Sequence, residues 1–257
     1  MRVFFETVGS QTHSTVADVG RLAMFLGRAM RCMVTSLPNR EALVEAMSAI
    51  GAGSALVVIC VAVFVGMNIT LQGYYIFQQF GGQNLVGIFV ALSVVREMSP
   101  MTTAVMVAAK AGTDMAANLG TMRVKQQIDA IEVMGVNPFW LLVVPRLLAA
   151  VIVMPLLVTL SNFFGLLSGY MVAVYQLGVN PGLYMENVLQ HVQWLDLWKG
   201  MGKGVVLGLI LAVVSCYYGF HATEGAKGVG KATNRAVVVS CVIGIVTNYI
   251  LTELMYG

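Results

Sequence analysis

The sequence predicts an all-α integral membrane protein with five transmembrane helices, preceded by an interfacial amphipathic helix. Three observations carry that expectation. Of the 257 residues, 58% are hydrophobic and only 11% charged, whereas an ordinary soluble domain carries roughly 25% charged residues. The charges are unevenly spread, with no Asp, Glu, Lys or Arg between Glu45 and Arg96 or between Arg146 and Glu186. The mean hydropathy is +0.81, which leaves too little polar surface to cover a water-facing domain of this size.

A helix crossing the roughly 30 Å hydrocarbon layer needs about 20 mostly apolar residues. That rule gives spans at about 48–71, 84–109, 147–175, 203–221 and 236–256. The second holds Arg96, Glu97 and Pro100, and the third is long and holds Pro155, so a break, tilt or kink is expected in either. The whole chain, 1–257, reads as one membrane-embedded unit: interfacial and elbow helices over 14–46, two spans over 48–109, a polar segment over 110–138, and three spans over 147–257.

Orientation follows from the Lys and Arg residues, which short cytoplasmic loops retain. With a cytoplasmic N-terminus, that side holds Arg2, Arg21, Arg28, Arg31, Arg40, Lys110, Arg123, Lys125, Arg146, Lys227, Lys231 and Arg235, and the other keeps Lys199 and Lys203. Twelve against two sets the N-terminus in the cytoplasm and the C-terminus outside. The segment from Met1 to His13 has no uninterrupted apolar run, which argues against a cleavable signal peptide.

Residues 14–36 carry Val16, Val19, Leu22, Leu26, Met30 and Met33 on one helical face and Arg21, Arg28 and Arg31 opposite. Such a helix suits the cytoplasmic headgroup layer, with docking on a soluble partner as the alternative. Leu37, Pro38 and Asn39 then break it before a short helix leads into the membrane. On the outer side, Asn180 and Pro181 open an amphipathic piece from Leu183 to Trp198, whose Tyr184, Trp194 and Trp198 suit the membrane interface.

Arg96-Glu97-Met98-Ser99-Pro100 places two charges inside a span, where they are costly and face a cavity, a partner or a substrate path. Adjacent residues point about 100° apart on a helix, so the two need not pair with each other. Lining of a substrate cavity and a structural ion pair both remain open. The stretch from Lys110 to Pro138 is the largest internal concentration of polar residues, shows no clean apolar stripe and ends in the helix stop Met134-Gly135-Val136-Asn137-Pro138. A short helix polar on most sides is marginal alone, so it is expected to dock on another protein.

Several features are set aside. Gly225 to Ala232 nearly spells a phosphate-binding loop, but Ala232 stands where the magnesium-binding Ser or Thr belongs and no βα unit surrounds it. The basic residues are too scattered for nucleic acid. Cys32, Cys60, Cys216 and Cys241 lack paired spacing and read as small hydrophobes. His13, His191 and His221 lie far apart, and no Ser sits in a G-x-S-x-G setting, so neither a metal site nor catalysis is expected. Gly200, Gly204 and Gly208, and Gly165 and Gly169, permit close helix contact within the chain or across a dimer.

Arg96 to Pro100, Ala111-Gly112, Leu119-Gly120-Thr121-Met122-Arg123-Val124, Gln127-Ile128-Asp129-Ala130, Met134 to Pro138 and Pro145-Arg146 together resemble the MlaE/YrbE family of ABC transporter permeases. The likeness runs from about Val61 to the C-terminus and takes in Gly66-Met67, Leu71 to Tyr74 and the Gly225 to Arg235 loop. It implies a homodimer in the cell inner membrane, bound to cytoplasmic ABC ATPases that hold the ATP, a small STAS-domain protein and a periplasmic MCE-domain assembly. It further implies movement of phospholipid between that membrane and a periplasmic carrier, serving outer-membrane lipid asymmetry. The family counterparts of the lipid cavity are Ile69, Tyr74, Ile76, Phe77, Phe80, Arg96, Glu97 and Met98. Those of the ATPase-coupling helix fall on Leu119, Met122, Arg123, Gln127, Asp129, Glu132, Met134 and Pro138. The family usually carries Arg at Lys110, Glu at Asn118, Glu at Gln126 and Asp at Asn137, so several charges near the coupling region differ. An ion-coupled secondary transporter and a non-transporting scaffold for an MCE assembly are the rival readings; the first would want more than Arg96 and Glu97 at depth.

Overall fold

The computed structural model describes residues 20–33, 39–223 and 225–257. Among them every regular element is helical: α1 (20–33), α2 (Arg40–Gln78), α3 (Gln83–Val124), α4 (Gln127–Val133), α5 (Phe139–Gln176), α6 (Pro181–His191), α7 (Trp194–Phe220) and α8 (Gly225–Tyr256). Helices α2, α3, α5, α7 and α8 are each long and apolar enough to cross a membrane. All five are longer than the spans read from hydropathy, α7 and α8 by their N-terminal turns, because capping and packing continue each helix past the hydrocarbon layer. Among the described residues no separate short helix lies between α1 and α2. Asn39 caps it by accepting from Glu41 N at 3.2 Å, and the helix runs 39 residues without a break.

Small residues set the spacing between α2 and α5. The buried stripe of α2 is Ile50, Ser54, Val58, Ala62, Gly66, Thr70 and Gly73, close to one residue per turn. A methyl group on Gly66 would collide with the Gly165 carbonyl and the Ser168 hydroxyl. On α7, Gly204 lies against Val158 and Pro155 and Gly208 against Met154. The glycine spacings of α5 and α7 therefore serve contacts within this chain.

The centre of the bundle is α3, which packs on α2, α5, α7 and α8. It is continuous through Pro100 but carries π-helical turns at Val94–Met98 and Ala108–Gly112. Its last turns do carry an apolar stripe, contrary to the expectation for 110–138. Met115, Ala116, Leu119 and Gly120 are buried, and Gly219 on α7 sits where any side chain would strike the Ala116 carbonyl.

Two further expectations are corrected. In α1 the inward side is Phe25 and Ala29, flanked by Leu22 and Leu26. The Phe25 ring meets Phe139, Tyr217 and Phe220 at centroid distances of 5.1, 5.6 and 6.1 Å. The helix thus docks on its own bundle, while Met24 and Met30 remain exposed; Val16, Val19, Leu37 and Pro38 lie outside the described residues. On the other side of the bundle, Tyr184 is only 2% exposed, packed with Tyr170 and Val179. It anchors α6 instead of meeting the interface, and burial pushes its phenol pKa upward. Trp194 and Trp198 are exposed, as an interfacial role requires.

Candidate functional site: a charge network at membrane depth

Arg96 and Glu97 lie about 20 Å along α3 from Gln83, counting 1.5 Å per residue, within the Val94–Met98 π-turn. They do not pair with each other. Arg96 turns to α7, with Nε 3.0 Å from Asp196 Oδ1 and Nη2 donating to Asp196 Oδ2 at 3.2 Å. Glu97 turns to α7 and α8, with Oε1 3.5 Å from Lys203 Nζ and Oε2 accepting from Asn248 Nδ2 at 3.2 Å.

The sequence places each partner for a local reason. Asp196 is the third residue of α7, where Gln193 and Asp196 form a reciprocal capping box; one carboxylate thus caps the helix and neutralises Arg96. Lys203 is wholly buried and donates to Thr252 Oγ1 at 2.8 Å and to the Arg96 carbonyl at 2.7 Å. Pro100 explains that second bond. It lacks the N–H that an α-helix would direct at the carbonyl four residues back, and the ammonium of Lys203 occupies the acceptor.

The C-terminal turn of α8 closes the network. The Tyr256 ring lies 4.7 Å from the Arg96 guanidinium carbon, 4.4 Å from Lys199 Nζ and 5.1 Å from Lys203 Nζ, within cation–π range of all three. Lys199 also donates to the Met255 carbonyl. Sequence reasoning singled out Arg96 and Glu97 but counted Lys199 and Lys203 only as charges on the outer side, and it missed Asp196, Asn248, Thr252 and Tyr256. Asn248 and Thr252 sit four apart on one face of α8, and that spacing is the signal that could have found them.

The other residues matched to a lipid cavity divide. Ile69, Tyr74 and Phe77 pack against Val86, Val90 and Val94 between α2 and α3. Ile76, Phe80 and Met98 are exposed. The side chains of Arg96 and Glu97 each keep 35% of their surface open, so the network is sealed on the α7 side and open on the other. On the exposed face of α2, Asn68 accepts from Gln72 Nε2 at 2.6 Å, two amides satisfying each other within a span.

The segment between α3 and α5 forms a protruding turn. Gln126 takes a left-handed conformation at φ 56°, α4 follows, and Gly135 at φ 79° ends it. Ile128 is buried and anchors the turn, and Arg123 pairs with Asp129. Gln127, Asp129, Glu132 and Met134 are exposed, and Met122 and Arg123 are half-buried. Leu119 and Pro138 are buried, so their side chains do not reach a partner surface. The most exposed apolar side chain of the turn, Val133 at 89%, escaped the sequence reading. Around 225–232 the chain is the start of α8, and among the described residues no strand precedes it, unlike a phosphate-binding loop. Among the described residues no group of three His, Cys, Asp or Glu is placed to hold a metal ion.

Comparison with known proteins agrees with this architecture. The family described as Permease MlaE matches residues 43–254. A probable ABC transporter permease protein of Rickettsia conorii is 35% identical over 250 residues, covering 97% of this chain and 96% of its own. The intermembrane phospholipid transport system permease protein MlaE of Haemophilus influenzae is 30% identical over 255 residues, covering 99% and 98%. Protein trigalactosyldiacylglycerol 1, chloroplastic, of Arabidopsis thaliana is 33% identical over 206 residues, covering 80% of this chain and 59% of that protein. With five membrane-crossing helices and a match over most of its length, this chain belongs to the MlaE permease family.

Proposed function

We propose that this chain is the inner-membrane permease subunit of an ABC transporter that moves phospholipid between the membrane and a periplasmic MCE carrier. It works as a homodimer, and a partner ATPase supplies the energy. The observation that carries the reading is the half-open charge network: two compensated ion pairs at membrane depth, bordered by exposed Ile76, Phe80 and Met98. A phospholipid needs this combination, an apolar wall for acyl chains and a charged patch for the headgroup. The printed role of the Haemophilus relative in intermembrane phospholipid transport supports the cargo class.

A second copy of this chain fits the exposed faces. Hydrogen-bonded amides such as Asn68 and Gln72 gain little from acyl chains, and polar residues in a span favour a protein-bounded or wet environment. The protruding turn with exposed Val133 and Met134 suits an ATPase groove, with Arg123 and Asp129 holding its base. Closure of the ATPases would move α4, and α3 would carry that displacement toward Arg96 and Glu97, which lie on the same helix. The arginine and lysine bias supports a cytoplasmic α4 and a charge network in the outer half of the membrane. An ion-coupled carrier fits less well, because the buried cation and anion partners already neutralise each other.

The test is phospholipid transfer from proteoliposomes containing this chain and its co-expressed ATPase and MCE partners. Glu97→Ala is expected to abolish ATP-dependent transfer while the complex stays intact. Unchanged transfer by that variant would contradict the assignment of the network to the lipid path.

A further inference from the structure

A second polar site lies at the opposite end of the bundle from the charge network, where α2 and α5 begin and the second half of α3 passes between them. A cleft of about 220 Å³ opens there. Its walls are apolar, with Ala46, Ile50, Met115 and Leu141 among them. Its polar lining is Glu45, Asp114, Asn118 and Arg146. The volume is below the roughly 300–1,000 Å³ of sites that enclose whole drug-sized ligands, and fits a headgroup better than a lipid.

The charges are unevenly satisfied. Asp114 is neutralised by Lys110, one turn earlier, at 2.9 Å. Arg146 is half-buried and spends one donor on the Leu142 carbonyl at 3.2 Å; among the described residues it forms no ion pair, although a guanidinium carries five donors. Glu45 is exposed on the cleft wall, also without an ion pair among the described residues. A half-buried guanidinium without a counter-ion attracts a phosphate, which its planar fork addresses through two parallel bonds. The Asn118 amide can donate to the same group, and Glu45 offers an acceptor for a primary ammonium.

We propose that this cleft binds a phosphodiester bearing a primary ammonium, the headgroup of a phosphatidylethanolamine in the adjoining leaflet. Arg146 and Asn118 hold the phosphate, Glu45 holds the ammonium, and the apolar walls receive the start of the acyl region. A quaternary ammonium has no N–H to give Glu45, and an uncharged glycerol headgroup has no cation, so phosphatidylcholine and phosphatidylglycerol satisfy only half of the site. The proposal goes beyond the transport reading and stands without it, because it needs only the bilayer in which the helices lie.

The experiment is native mass spectrometry of the full-length chain in detergent, incubated with equal amounts of phosphatidylethanolamine, phosphatidylglycerol and phosphatidylcholine. Wild type is expected to retain one phosphatidylethanolamine in preference to the others. Arg146→Gln should weaken that retention at least about tenfold, the scale of a lost charge-assisted hydrogen bond, and Arg146→Lys should fall between. Glu45→Gln should keep lipid bound but lose the preference over phosphatidylglycerol, and because Glu45 is exposed this variant reads the site even if Arg146→Gln fails to fold. Equal retention of all three lipids, or retention unchanged in both Arg146→Gln and Glu45→Gln, would overturn the proposal. Displacement by millimolar soluble glycerophosphoethanolamine would overturn the lipid assignment and give the cleft to a free phosphodiester.

Discussion

Lys203, on the fourth membrane-crossing helix, directs its ammonium at the main-chain carbonyl of Arg96, 2.7 Å away, a bond made possible by the proline four residues after Arg96. The same nitrogen lies 3.5 Å from Glu97. One buried cation thus fixes both the backbone and a side chain of the π-turn that presents the charged pair.

Removing Lys203 is expected to be more damaging than removing the whole pair. Lys203→Met leaves Glu97 beside an apolar surface, and breaking a buried ion pair from one side costs about 3 kcal/mol or more. The double variant Lys203→Met with Glu97→Gln should regain much of that loss. Thermal unfolding in detergent, arranged as a double-mutant cycle, reads the coupling; additive losses would show that the two side chains act independently.

The aromatic clamp makes a separate claim. Tyr256→Phe keeps the ring over Arg96, Lys199 and Lys203 and should leave the melting temperature near wild type, whereas Tyr256→Ala should cost about 1 kcal/mol. Equal losses from the two substitutions would assign the effect to the hydroxyl.

The two glycines Gly66 and Gly53, both on α2, give opposite expectations. A methyl on Gly66 meets the Gly165 backbone, and Gly53 has open space around it. Gly66→Ala should destabilise by about 1–3 kcal/mol through overpacking, and Gly53→Ala should be neutral or stabilising, since Ala is the better helix former. Monodispersity and melting temperature after purification separate them.

How much of this was readable beforehand depends on how far apart in sequence the partners lie. Five spans were visible because long charge-free runs admit few other readings, and the stop at Met134 to Pro138 was visible because its glycine and proline act locally. Lys203 was counted only toward orientation because a lysine at the edge of an apolar run looks like a flanking charge until its partner is known. That partner, Glu97, lies on a different helix, and hydropathy carries no record of which helices touch. Tyr184 misled in the same way: an aromatic in an amphipathic outer helix resembles an interfacial anchor, and only the packing of α6 on Tyr170 and Val179 buries it. The protruding turn was found through its polarity, yet its most exposed apolar residue, Val133, was overlooked because a single valine carries no periodic signal.

Replacing Val133 and Met134 together by Ser tests that turn without disturbing the bundle, since both side chains are exposed and Ile128 supplies the anchor. The melting temperature of the isolated chain should be unchanged while ATPase retention on affinity purification falls sharply. Retention equal to wild type would remove the turn from the ATPase contact.

On the proposed function, this chain converts the work of a partner ATPase into lipid movement. The most direct measurement is ATP hydrolysis by the complex purified through a tag on this chain, co-expressed with its genomic neighbours. Vanadate-sensitive hydrolysis is expected, and it should disappear when residues 127–134 are scrambled with the bundle still folded. A well-folded, monodisperse preparation that brings down no ATPase would contradict it.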